Sequence, residues 1–194
     1  MSILVLTSDT LIGTPATGNL EYNGQFFGTD SNASRAQMQR ITQTTVQATT
    51  SGTGPFPFTS IPSWVKRITV QFNGVLTNGS NLLVQIGSGS YTSSGYVSAG
   101  IVATSTGNTA VTTTAGFYSS CNLSSTVTNN GIVMLTNITG NTWVGTATSA
   151  RSDSATLISS GFLALGGALD RLQLTTISGT ATFSAGQVNI LYEG

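Results

Sequence analysis

Apolar and polar residues alternate along most of this chain in short runs. Ile68, Val70 and Phe72 fall on one side of an extended segment and Arg67, Thr69 and Gln71 on the other, the period of two expected of a strand. Leu82, Val84 and Ile86 repeat the pattern. The Asn78-Gly79 pair between the two segments accepts positive φ, so residues 65–75 and 81–87 read as a hairpin. Ile132, Met134 and Ile138 alternate around Val133 and Leu135, and Thr139-Gly140-Asn141 turns the chain into a strand over 142–148. Leu172 and Leu174 alternate with Arg171 and Gln173, Ser178-Gly179 offers another hairpin turn, and Val188, Ile190 and Tyr192 share one face of the final segment.

Further Asn-Gly pairs stand at Asn23-Gly24, Asn73-Gly74 and Asn130-Gly131, and abundant threonine suits a pleated surface. Many short strands at this spacing predict an all-β protein: a β-sandwich or jelly-roll-like head over residues 61–194. Residues 51–60, rich in Gly and Pro, read as a linker. Residues 1–50 form a small N-terminal module with a β-hairpin and a short helix through Ala33, Ala36 and Arg40, capped by Asp30 or Ser31. The polar stretch 91–131 reads as long loops and weak strands. Trp64 and Trp143 are expected in the core.

Composition narrows the chemistry. Charged residues make up 6% of the 194 residues, against about 25% in an ordinary soluble domain. With 39% hydrophobic residues and zero formal net charge, the chain can bury a core and is not disordered by composition. So uncharged a surface favours self-association. The scattered cations Arg35, Arg40, Lys66, Arg67, Arg151 and Arg171 give no basic face for nucleic acid. No apolar run is long enough to insert in a membrane as a helix, and residues 2–6 are too short for a signal peptide.

Without histidine, neither a Ser–His–Asp nor a Cys–His site can be built, and Lys66 reads as a solvated charge at a strand end. Paired carboxylates could be drawn from Asp9, Glu21, Asp30, Asp153, Asp170 and Glu193, but Asp153 stands beside Arg151 and Asp170 beside Arg171, so ion pairing is the expected use. No Asp-rich calcium loop is present; neither metal nor cofactor is expected. Cys121 reads as a small buried or loop residue. The glycosylation sequons at Asn32, Asn78, Asn122 and Asn137 are the chance product of a chain rich in Asn, Ser and Thr. Tyr91, Tyr96 and Tyr118 lie within the polar stretch, where a tyrosine offers contact area at low entropic cost; they are the candidate contacts for a receptor or glycan.

Two stretches resemble a known family. Residues 6–29 (LTSDTLIGTPATGNLEYNGQFFGT) resemble a short module of bacteriophage tail fibres, carried by Thr14-Pro15, Gly18 and Glu21-Tyr22-Asn23-Gly24. Residues 61–72 (IPSWVKRITVQF), 82–88 (LLVQIGS), 94–96, 141–143, 169–176 (LDRLQLTT) and 185–193 (AGQVNILYE) resemble a C-terminal domain of phage fibre-like proteins. The resemblance implies a non-enzymatic virion protein on the tail or capsid surface. It implies a homotrimer whose β-sandwich head meets a host surface glycan or protein. Leu6, Leu11, Tyr22, Phe26 and Phe27 of the N-terminal module are the expected docking or trimerisation contacts to other virion proteins. Because the chain opens directly on the short module, capsid decoration through that segment is the alternative, and a carbohydrate-cleaving depolymerase a distant third.

Overall fold

The computed structural model describes residues 10–194 except 12, 15, 24, 33, 51, 122 and 123. The protein is all-β, with no helix among the described residues, and divides into two compact units, residues 1–40 and 41–194.

The smaller unit holds a three-stranded antiparallel meander of β1 (Leu20–Tyr22), β2 (Phe26–Thr29) and β3 (Arg35–Gln37). The expected hairpin is present, with Tyr22 opposite Phe26 and their ring centroids 5.0 Å apart. The expected helix is replaced by a turn and a strand. The Asp30 carboxylate accepts the N–H groups of Asn32 and Ser34, both at 2.9 Å, an alternative that Asp offers the backbone in competition with a helix. Beyond the turn, Arg35 of β3 is held to Glu21 of β1 at 2.6 Å, an ion pair that reaches across β2.

The larger unit packs two antiparallel sheets face to face, as a β-sandwich does. The larger sheet contains β4 (Ile41–Gln43), β5 (Gln47–Ala48), β7 (Arg67–Thr77), β10 (Val97–Thr104), β11 (Gly107–Thr113), β13 (Asn129–Thr139), β14 (Thr142–Arg151), β15 (Thr156–Ala164) and β17 (Phe183–Glu193). Its order is β11-β10-β15-β14-β13-β7-β17-β4, with β5 also on β17. The smaller sheet runs β12 (Phe117–Ser120), β8 (Leu82–Ser88), β16 (Arg171–Thr176) and β6 (Phe56–Thr59), with β9 (Ser90–Tyr91) on β8. Between them lies the main core, with Ile68, Val70, Val133 and Leu135 from one sheet against Val84, Ile86, Leu172 and Leu174 from the other. Trp143 is buried within it and Trp64 packs on its margin; the hairpin at Thr139–Thr142 forms as expected.

Several expectations are corrected. Residues 51–60 are not a free linker, and residues 41–50 belong with the larger unit: β4 and β5 pair with β17, and β6 pairs with β16. The cause is aromatic burial. Phe58 is buried, and Phe56 meets Phe183 edge-on at 4.8 Å, while Pro57 is tolerated because β6 is an edge strand. The Asn78-Gly79 and Ser178-Gly179 turns do not close hairpins. Each carries the chain from one sheet to the other, since β7 and β8, like β16 and β17, lie in opposite sheets. Asn73-Gly74 and Asn130-Gly131 are not turns either. They face one another in β7 and β13, where the register shifts and the Gly74 N–H, at φ 65°, donates to Asn130 Oδ1 at 2.7 Å.

The polar stretch 91–131 is mostly regular strand, because small residues there let the sheets approach closely. Gly145 leaves the space that Phe117 occupies: a Cβ there would sit 2.8 Å from the ring. Along the edge of β12 not paired with β8, the Tyr118 N–H donates to Ser98 Oγ at 3.1 Å, and Ser159 Oγ donates to the Tyr118 carbonyl at 2.7 Å. Serines of the larger sheet thus satisfy an edge that would otherwise hold unpaired polar groups.

Candidate functional site

Two of the three tyrosines are buried. Tyr96 is 1% exposed. Its hydroxyl accepts the Ile86 N–H at 2.8 Å and donates toward the Thr92 carbonyl at 3.1 Å, its ring meets Phe117 edge-on at 5.1 Å, and burial pushes its phenol well above the ordinary value. Tyr118 is buried over Leu83 in a second apolar cluster. Neither ring can reach a receptor. Tyr91 is half-buried, with the Arg171 guanidinium 5.8 Å from its ring centroid, and burial raises its phenol. Polar neighbours in sequence conceal the first two: Ser119 and Ser120 beside Tyr118 are themselves buried, whereas Ser93, Ser94 and Gly95 before Tyr96 are exposed while its ring turns inward.

The expected ion pairs are present. Arg151 Nε meets Asp153 Oδ1 at 2.9 Å and Arg171 Nε meets Asp170 Oδ1 at 2.8 Å. Each guanidinium holds its aspartate below the ordinary value. Arg67 pairs with Glu193 and Arg35 with Glu21, so each described carboxylate is tied to an arginine or to the Asp30 turn. Lys66 is exposed. Cys121 is buried, and desolvation pushes its thiol up to about 11. No cluster of three potential metal ligands occurs among the described residues. In the N-terminal unit Leu11 and Phe27 are half-buried, Tyr22 packs on Phe26, and Phe26 remains exposed; Leu6 lies outside the described residues.

The surface that stands out is the outward face of the larger sheet. Register aligns its rows: Ile101, Ile158, Thr148 and Ile132 in one, Ala99, Ser160, Thr146 and Met134 in the next, and Val97, Phe162, Val144 and Thr136 in a third. Ile158 is 64% exposed and Phe162 48%. A hollow of about 700 Å³ lies over β10, β15 and β14, floored by Ala99, Thr146 and Ser160, and continues past Val97 and Phe162. Beyond β13 the same face changes character. Gln71 and Asn73 of β7 stand opposite Asn189 and Gln187 of β17, and with Gln43 they surround a cleft of about 190 Å³. Asn189 is engaged by Thr44; Gln43, Gln71, Asn73 and Gln187 are exposed. The Arg67–Glu193 pair marks one corner of this half.

No protein-family model, curated protein or solved structure matches this chain. The chemistry of the face is therefore its own guide: an apolar half suited to dry contact and a carboxamide half suited to neutral hydrogen-bonding partners.

Proposed function

We propose that this chain is a non-enzymatic structural subunit of a phage virion, of tail-fibre type, that works as a homotrimer and presents its β-sandwich head to the host surface. The single observation that carries the reading is the carboxamide cleft. Gln43, Gln71, Asn73 and Gln187 gather on one exposed sheet face with no catalytic group among its lining residues, an arrangement for holding a neutral hydroxyl- or amide-bearing surface and not for turning it over. The two-unit organisation, a small β-module ahead of a sandwich, supports it as well, with the N-terminal unit as the dock to other virion proteins. Host contact falls to the cleft, because Tyr96 and Tyr118 are buried.

The test is on the particle. Immunogold labelling is expected at the tail, and virions carrying a Gln71→Ala/Asn73→Ala chain are expected to adsorb poorly to host cells. Label confined to the capsid shell, with normal adsorption of the variant, would overturn the reading.

A further inference from the structure

Strand β7 changes phase at Asn73, one of the carboxamides that line the cleft. Up to that point its buried residues are Ile68, Val70 and Phe72; beyond it they are Val75 and Thr77. One extra residue accounts for the switch. Between the Asn129–Val75 and Gly131–Phe72 pairs, Asn130 of β13 stands opposite both Asn73 and Gly74. On the other side, Gly186 of β17 falls between the Ala185–Leu76 and Gln187–Asn73 pairs. This is a β-bulge, which bends its strand and re-aims the side chains beside it. Asn73 thereby ends the outward row: simple alternation would carry that row on to Val75, which is fully buried.

We propose that Asn130 is a positioning residue of the cleft: by clamping the bulge, it sets where Asn73 presents its carboxamide. Its Oδ1 accepts the Gly74 N–H at 2.7 Å. That N–H belongs to the planar peptide unit joining Asn73 to Gly74, so the clamp acts on the very group that carries Asn73. It also satisfies a donor that the bulge takes out of the ladder. Gly74 holds φ 65°, a left-handed conformation that glycine adopts without penalty. Gly186 makes room on the far side, where a Cβ would lie 2.5 Å from the Val75 N and Cα atoms. Asn130 does not line the cleft itself, so its influence on a bound partner passes through Asn73. The inference rests on the cleft as the host-contact site and adds the residue that shapes it.

The test is the adsorption rate of virions carrying variant chains, each shown to be folded by circular dichroism of the purified full chain. Asn130→Leu, similar in size but without the acceptor, is expected to slow adsorption about tenfold, the worth of one or two neutral hydrogen bonds. Asn130→Asp keeps an acceptor oxygen and is expected to stay within about twofold of wild type. The double variant Asn73→Ala/Asn130→Leu is expected to adsorb as slowly as Asn73→Ala alone, again within about twofold, because both changes act on one contact. General loosening of the fold would instead multiply the two losses. Should Asn130→Leu fail to fold, Asn130→Ser takes its place with the same expectations. Wild-type adsorption by a folded Asn130→Leu or Asn130→Ser chain overturns the inference, as do multiplied losses or an Asn130→Asp chain as slow as Asn130→Leu. With Asn73→Ala slow, those results leave the cleft as the contact site; wild-type adsorption by Asn73→Ala overturns both.

Discussion

Strands β15 and β7 belong to the same sheet, with β14 and β13 between them, and bury alternate residues in the same sandwich, yet their outward rows are opposite in kind. From β15 the inward side chains include Leu157 and Leu163, and the outward ones Ile158, Ser160 and Phe162. From β7 the inward row is Ile68, Val70 and Phe72, and the outward row Arg67, Thr69, Gln71 and Asn73. A strand with one wet face alternates cleanly, as β7 does; a strand that reads apolar on both rows is one that expects cover on both. The difference is one of side-chain chemistry on the wet face: β15 turns uncharged and largely apolar groups outward, and β7 turns carboxamides and a guanidinium outward.

The sharpest way to break this comparison is at neighbouring positions of β15. Leu157→Ala removes a fully buried side chain and is expected to cost about 2–5 kcal/mol in urea unfolding. Ile158→Ala, one residue away and facing out, is expected to cost less than about 0.5 kcal/mol when the chain is dilute enough to be monomeric. Equal losses would show that the outward row is already packed within one copy.

The next effect concerns the small residues beneath the apolar half. A Cβ at Gly161 would lie 2.4 Å from the Val97 carbonyl oxygen and 2.9 Å from Ser98 Cα. Gly161→Ala must therefore push β10 from β15, an overpacking cost of about 1–3 kcal/mol, read by the same unfolding curves. A neutral result would mean that the strands separate freely there. On the carboxamide half, Gln71→Ala and Asn73→Ala should leave stability within about 0.5 kcal/mol of wild type while host adsorption falls; a large stability loss would assign those amides to the fold.

The smallest effect lies outside both halves. Asp153 and Asp170 are held below their ordinary value of 3.8 by hydrogen bonds from Arg151 and Arg171. Their pairing therefore stabilises the fold above that value and is lost as the pH falls through the depressed one. Both carboxylates are more than a third exposed, so water and salt screen the pairs. Acid titration of stability should show a shallow decline that added salt flattens; a steep loss beginning near neutrality would require a different titrating group.

The all-β class, the β13–β14 hairpin, the alternating core rows of β7 and β17, and the two ion pairs between sequence neighbours were legible because each follows from local spacing or turn chemistry. Sheet membership was not. Asn78-Gly79 has the composition of a hairpin turn, yet the strand after it crosses to the opposite sheet, where Leu83 is buried with Tyr118 away from the main core. The Asn130-Gly131 pair likewise reads as a turn until Asn73-Gly74 is placed across from it. Burial of Tyr96 and Tyr118 is not legible because polarity along the chain does not equal exposure: Ser98, Ser119, Ser120 and Ser159 are buried. The apolar outward face did have a signal, the double apolar rows around Ile132 and Val133, but spacing alone does not say which row is wet.

The larger unit receives the chain from Arg40 at β4, a ladder of three pairs against β17 in which Ile41 stands opposite Glu193. Beyond it β17 is zipped along most of its length to β7. A pull arriving through residue 40 would load this three-pair ladder before the longer β7–β17 seam, so β4 is the strand expected to peel first while the sandwich behind it stays shut.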